Sequence, residues 1–356
     1  MSLARDTADY GHIKTARKNL LINGDFDIAQ RGTSFVAHTA SDYTLDRWFA
    51  THSGTMVYSC FQLGTTSDIP FRHYHRIDVT TADVTMAAGD YVHFTQKIEA
   101  TSMHHLHWGR ASAKDLTLGF WHRCTKVGTY SVAFRNSDAS RCYIREYTQA
   151  VTNEWEYAEV TIPGCTDGTW LEDANVGLVV SFAAACGSTY TGAADSWITS
   201  GNVIASTNQV NNMDNTANVF DIAHVQLEAG TQATDWDGRP VAEELTLCQR
   251  YYQKLYFINY RPFGVARSSG TPDLIGATVT LPTEMKSAPS VLNTSAALSR
   301  VRTSDFSSTT ITAATDFFVA SGTRQIMLDI AGEGTSNQTY TMMFQADTGV
   351  YCDAEF

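Results

Sequence analysis

The residues best suited to chemistry in this 356-residue chain are its histidines, carboxylates and tryptophans. "RHYHR" supplies His73 and His75, and "MHHLHW" supplies His104, His105 and His107. On a strand an H-x-H pair points both rings to one face, which suits a transition metal, although histidines on a polar strand or loop surface explain the same letters. No HExxH helix accompanies them, so a hydrolytic zinc site has no support. Asp and Glu total 37, and any two could meet as the acid and base of a glycosidase, but no spacing selects a pair. A G-x-S-x-G elbow, a P-loop and a G-x-G-x-x-G fingerprint are absent. Trp108, Trp170 and Trp197 stand among Gly, Thr, Ser and Asp in loop-like text, where an indole could face the flat apolar side of a sugar ring. They are the candidate carbohydrate-binding residues, Trp170 and Trp197 first, with burial in a core as the alternative for each. Trp121 and Trp155 fall inside strand-like text and are expected to face a core.

The elements that would position these groups read as strands. Charged residues make up only 17% of the chain while Thr, Ser, Gly and aromatics are plentiful, a mix that fits pleated, half-buried strands joined by tight turns. The formal net charge of −12 disfavours a broad nucleic-acid-binding surface, which needs clustered Lys and Arg. No apolar run is long enough to span a bilayer, and "MSLARDTADYGHIKTARKN" has no continuous hydrophobic stretch, so neither membrane insertion nor a secretory signal is expected. The seven cysteines form no CxxC pair and read as small apolar residues in a reducing compartment.

Residues 1–18 lack hydrophobic periodicity and form a candidate attachment arm, basic at its end through Lys14, Arg17 and Lys18. Residues 19–238 form the expected jelly-roll domain. "NLLINGDFDIAQRG" reads as a first strand closed by a Gly-containing turn, Trp48 as a ring sealing the core, and "VQLEAG" as the closing strand with Val225 and Leu227 inward and Gln226 and Glu228 outward. "RHYHRIDVTTADV", "DYVHFTQKIEA", "LTLGFWHRCTKVGTYSVAFRNS", "EWEYAEVTIPG" and "VGLVVSFAAAC" supply further strands, and residues 186–218 read as two long loops. Residues 239–255 predict a linking helix: Pro240 suits its first turn, Glu243 and Glu244 its positive end, Arg250 and Lys254 its negative end. Val241, Leu245, Cys248, Tyr252 and Leu255 form one stripe, which would pack on its own domain or against symmetry mates. Residues 256–356 return to strands and predict a smaller C-terminal β-sandwich. The fold class is therefore all-β.

Several phrases, "NLLINGDFDIAQRGTS", "YTLDRWF", "LTLGFWHRCTKVGTYSVAFRN", "EWEYAEVTIPGCTDGTW", "NVFDIAHVQLEAGTQATDW" and "RPVAEELTLCQRYYQK", in that order resemble the tail-fibre and head-spike proteins of tailed bacteriophages and phage-like particles. The resemblance covers residues 19–255 and thins beyond. It implies a carbohydrate-binding-module-like jelly roll followed by a helix and a C-terminal β domain. It also implies a structural calcium between first and last strands, with Asp25, Asp27 and Asp221 as matching ligands, since calcium takes several oxygen ligands. The role it implies is a non-catalytic virion subunit, fibre or spike. Such a subunit would be a trimer or pentamer, anchored to capsid or tail proteins through the N-terminal arm. It would bind host surface polysaccharide, with a ligand-free architectural hub or a glycan hydrolase as rivals.

Overall fold

The structure is a computed structural model that describes residues 18–65, 68–199, 201–257, 262–268, 274–293, 298–302, 308–311, 318–320, 322–330, 339–344 and 348–356. The candidate arm up to Arg17 lies outside these residues. The described chain is all-β apart from helix α1 (Val241–Gln249) and two short 3-10 turns. It divides into two compact units, one running to Val241 and one from Ala242 to Glu355.

The first unit is a two-sheet jelly-roll-like sandwich. Its strands are β1 (Ser34–His38), β2 (Asp42–Tyr43), β3 (Phe49–Ser53), β4 (Val57–Gly64), β5 (His73–Thr81), β6 (Tyr91–Glu99), β7 (Leu116–Cys124), β8 (Gly128–Arg135), β9 (Cys142–Gln149), β10 (Glu156–Ile162), β11 (Val176–Cys186), β12 (Thr191–Gly192), β13 (Trp197–Ile198), β14 (Ala205–Ser206) and β15 (Val219–Ala229). One sheet runs β1-β4-β5-β15-β7-β10 and the other β13-β9-β8-β11-β6-β3-β2. The chain keeps changing sheets. "CTKVGTY" is a turn, as read, yet it carries the chain from β7 in one sheet to β8 in the other instead of closing a hairpin.

Period-two alternation builds the core. In β7 Leu116, Leu118, Phe120 and Cys124 are buried in the main cluster while Trp121 and Arg123 are half-buried on the other face. Trp48 is fully buried, as its phrase predicts, with its ring centroid 4.9 Å from that of Phe26 and its indole N–H donating to the Asn23 carbonyl at 3.0 Å. β11 reads as a continuous apolar run because both its faces are covered. Residues 186–218 are not loose loops. They include β12, β13 and β14, and Val203 packs on Ala133, Cys142 and Ile144 outside the second sheet.

The opening phrase departs from its reading. Residues 19–28 make no strand; isolated backbone hydrogen bonds and amide side chains replace the ladder. Leu20 N donates to Leu227 O, Asn19 Nδ2 to Val225 O, and Val225 N to Gly24 O, at 2.8, 3.0 and 2.9 Å. Ile22 exchanges two hydrogen bonds with the Gln96 side chain in the opposite sheet. The close approach requires Gly24, since a Cβ there would stand 2.2 Å from the Val225 carbonyl oxygen. Opposite this segment β15 carries a bulge between Ala223 and Gln226, with His224 at φ 53°.

In the second unit the strand Thr348–Asp353 lies between Tyr252–Phe257 and Ser290–Asn293, beside a seven-stranded antiparallel sheet. The helix is shorter than its stripe implies. It ends at Gln249, Tyr251 N closes the last turn on Cys248 O at 2.9 Å, and Tyr252 and Leu255 stand on a strand paired with Asp353 and Val350. The β-favouring run "YYQKLYF" finds a ladder partner in the C-terminal strand, and that pairing overrides a stripe only two turns deep. All seven cysteines are free thiols; burial pushes Cys186 and Cys352 up to about 12, as befits inert apolar residues.

Burial lowers the pKa of each of the three most deeply buried histidines of the first unit: His75, stacked on Phe94 at 3.8 Å, His122, and His93, which falls to about 3 with Arg135 adding to the effect. The unfolded chain protonates them near pH 6.5 and the fold does not. Their contribution is thus complete above about pH 6.5 and is lost as pH falls, for His93 down to about 3. Asp46, whose carboxyl burial raises, works in the opposite sense as pH drops through its own value. Urea unfolding is expected to show stability falling from about pH 7 to about pH 5 by up to about 1.4 kcal/mol per pH unit for each such histidine. His93→Gln should flatten that slope, and an unchanged slope in the variant would contradict this account.

Candidate functional site

The outer face of the first sheet carries a cleft of about 280 Å³ over β15, β7 and β10. Outward positions build its floor and sides: Gly119 and Trp121 from β7, Tyr157 from β10, and His224 and Gln226 from β15. Trp121 and Tyr157 are direct cross-strand partners with ring centroids 5.7 Å apart. Tyr157 lies across Gly119, where an added Cβ would meet its hydroxyl oxygen at 2.3 Å, so the absent side chain lets the phenol cover the strand. Pro70 stands at one side. The far wall is the segment 233–236, whose Trp236 stacks on His224 at 3.8 Å and 25°.

That wall is held by the outward residues of the closing strand. Val225 and Leu227 face the core as read. Gln226 and Glu228 do point to the opposite face, but they are buried beneath the wall. Glu228 accepts from Thr234 N at 2.7 Å and from the Thr234 hydroxyl, and Gln226 Oε1 accepts from Asp237 N at 2.7 Å. Glu159 accepts from Ala233 N at 2.9 Å. Burial first, and then the Glu159 and Glu228 carboxylates, hold the Tyr157 phenol above its ordinary pKa.

His224 is 9% exposed, and its Nδ1 meets Asp25 Oδ1 at 2.7 Å. That partner places the ring proton on Nδ1 in the neutral form and leaves Nε2 as an acceptor. Among the described residues nothing hydrogen-bonds His224 Nε2, the indole N–H of Trp121 or Trp236, or the Tyr157 hydroxyl. A cleft with several aromatic faces and several unengaged polar handles can stack on a flat apolar surface and hydrogen-bond at its edge.

Trp155 also faces outward instead of into the main core. It packs with Phe71, Tyr74 and Trp121 in a satellite cluster beside the cleft, with Phe71 to Trp155 at 4.8 Å. Above it Arg123 lies 4.6 Å from the Trp155 ring. Arg123 and Arg76 both grip Asp221, which is fully buried: Arg76 Nε donates at 2.7 Å and Nη2 at 2.9 Å, Arg123 Nε at 2.8 Å. Burial alone would lower the Arg76 pKa; its hydrogen bonds and charge contact with Asp221 outweigh that and raise it.

This geometry does not fit the calcium set drawn from the resemblance. Asp221 gives both oxygens to guanidinium donors, Asp25 is engaged by His224, and Asp27 accepts from His73 at 2.6 Å. Each carboxylate meets its own cationic or imidazole partner, and the three do not converge as one oxygen set. Among the described residues no group of three or more His, Cys, Asp or Glu could hold a metal. His104 and His105 lie on a 3-10 turn (Ala100–Leu106) with His107 just beyond it, not on a strand, which removes the facing-ring geometry.

Trp108, Trp170 and Trp197 do come together. Their rings stand edge to face, 4.6 Å between Trp108 and Trp170, 5.6 Å between Trp108 and Trp197, and 6.1 Å between Trp170 and Trp197. Each indole N–H donates to a backbone carbonyl, of Lys114, Asp167 and Pro163 respectively. Trp108 is 7% exposed, and the cavity beside it measures only about 20 Å³, room for little beyond a water molecule. These indoles are satisfied by one another and by the backbone, whereas those of the cleft are not. Sequence reasoning passed over the cleft because Trp121, Tyr157, His224 and Trp236 are far apart in the chain; only the pairing of β7 with β10 and β15 gathers them.

No family model matches the chain, and no curated protein matches it. Among solved structures it is similar to the enzymatically active domain of tailspike protein 4 of bacteriophage CBA120, with 13% identity and TM-score 0.34 over 60% of this chain and 22% of that one. It is also similar to the family 11 carbohydrate-binding module of a cellulosomal cellulase of Clostridium thermocellum, with 10% identity and TM-score 0.27 over 55% of this chain and 96% of that one. The C-terminal family 22 carbohydrate-binding module of Clostridium thermocellum Xyn10B matches with 10% identity and TM-score 0.28 over 56% and 97%. The chain thus spans less than a quarter of the tailspike domain's length. Similarities of this size carry no inference about what the chain binds.

The two tryptophan groups should respond differently to truncation. Trp108→Ala is expected to cost about 3–5 kcal/mol in urea unfolding, and Trp121→Ala, half-buried at the cleft, clearly less. Asp221→Ala leaves two largely buried guanidiniums facing each other and should cost about 3–5 kcal/mol; a loss under about 1 kcal/mol would show that water screens the pair.

Proposed function

We propose that this chain is a non-catalytic glycan-binding protein whose site is the cleft of Trp121, Tyr157, His224 and Trp236. The observation that carries this reading is the set of unengaged polar edges on aromatic groups that line one cleft. Trp121 and Trp236 offer N–H donors, Tyr157 a hydroxyl and His224 an acceptor, around a volume of about 280 Å³. A pyranose ring has apolar faces and a hydroxylated rim, and such a lining complements both. The lining is dominated by aromatic faces with hydrogen-bonding edges, and such a lining favours binding. The tryptophans first selected by sequence, Trp170 and Trp197 with Trp108, provide a second and shallower surface.

We further propose, on the ordered phrases shared with tail-fibre and head-spike proteins, that the chain is a structural virion subunit. It would be anchored through its N-terminal arm and assembled as a trimer or pentamer that multiplies weak glycan contacts. Gold-labelled antibody on negatively stained particles tests that placement, and labelling of neither head nor tail would reject it.

Glycan binding is tested by array screening followed by affinity electrophoresis. The double variant Trp121→Ala, Trp236→Ala is expected to weaken binding about tenfold or more, as loss of aromatic contacts implies, while Trp170→Ala, Trp197→Ala retains it. Undiminished binding in the first variant and loss in the second would transfer the site to the shallower cluster.

A further inference from the structure

We propose that the cleft selects an uncharged glycan and turns acidic glycans away, with Asp235 at its rim as a specificity-determining residue. This rests on the cleft being the glycan site, and it concerns the charge of the ligand. Asp235 is exposed and lines the cleft. Behind or beneath the lining stand Asp25 on His224, Glu159 on Ala233 N and Glu228 under Thr234. The Tyr157 phenol already registers the Glu159 and Glu228 charges, since after burial both raise its pKa.

Two guanidiniums of this sheet face are engaged elsewhere. Arg76 and Arg123, on the same sheet face, are clamped onto Asp221, and Arg76 also stands 3.7 Å from Asp78. At the far wall Lys18 Nζ donates to the Thr234 hydroxyl at 3.1 Å. A ligand carboxylate entering the cleft would therefore meet the like charge of Asp235, Glu159 and Glu228, with the single ammonium of Lys18 opposing them at the far wall. Sugar hydroxyls meet no such penalty. They can donate to His224 Nε2, which is held as an acceptor by Asp25, and to the Asp235 carboxylate in charge-assisted hydrogen bonds.

The test uses the full chain in affinity electrophoresis or calorimetry. Neutral polysaccharides (mannan, galactan, β-glucan) are compared with uronic-acid polymers (alginate, hyaluronate) at about 0.02 M and about 0.5 M salt. At least one neutral polymer should bind, and every acidic polymer should bind at least tenfold more weakly at low salt. The gap should narrow at high salt, where screening shortens the reach of the carboxylates. Asp235→Lys should raise the ratio of acidic to neutral affinity severalfold. Acidic polymers binding as tightly as neutral ones at low salt, or a ratio unmoved by Asp235→Lys, would overturn the inference while leaving the cleft as a glycan site. Neutral binding that survives Trp121→Ala, Trp236→Ala, or binding of neither class, would overturn the cleft assignment and this inference with it.

Discussion

One extra residue in β15 governs both sides of the first unit. Between Ala223 and Gln226 the strand advances three residues while β7 advances two, from Trp121 to Gly119. Placing His224 at positive φ absorbs the difference, turns Val225 into the core and leaves both His224 and Gln226 on the outer face. The freed backbone of Val225 then receives the irregular segment at Gly24, which brings Asp25 within reach of His224. Without the bulge, strict alternation would send His224 to the core, and the imidazole that Trp236 stacks upon would be missing from the cleft.

The first unit shows two ways of handling polar groups on large apolar side chains. At Trp108, Trp170 and Trp197 every indole N–H finds a carbonyl, and the rings cover one another edge to face. That arrangement gains packing and leaves little for a ligand. In the cleft the rings are equally aromatic, yet their polar edges are open to solvent and to whatever displaces it. Holding unengaged donors beside apolar surface forgoes some stability, a common feature of binding sites.

Charge follows a similar division. Asp221 is fully buried and would be costly alone; two guanidiniums enclose it, and their stems and planes pack on Tyr74 and Trp155. This clamp joins β5, β15 and β7 across the outer face, stiffening the platform on which the aromatic residues stand. It also commits these two guanidiniums to Asp221.

The sequence by itself determined the all-β class, most strands of the first unit, the burial of Trp48 and the inward facing of Val225 and Leu227, because period-two alternation is a local property of the chain. It also brought Trp108, Trp170 and Trp197 to notice as one group, and the fold joins them. Only tertiary structure decided that these indoles satisfy one another, and that Trp121 and Trp155 look outward. It likewise decided that Asp221 meets Arg76 and Arg123 in place of Asp25 and Asp27, and that residues 19–28 dock through amides instead of forming a strand. Helix α1 stops at Gln249 for the same reason: the partner of Tyr252 is Asp353, about a hundred residues away. Contacts between distant segments set which face is covered and which polar groups remain open, and no local pattern of residue types records them.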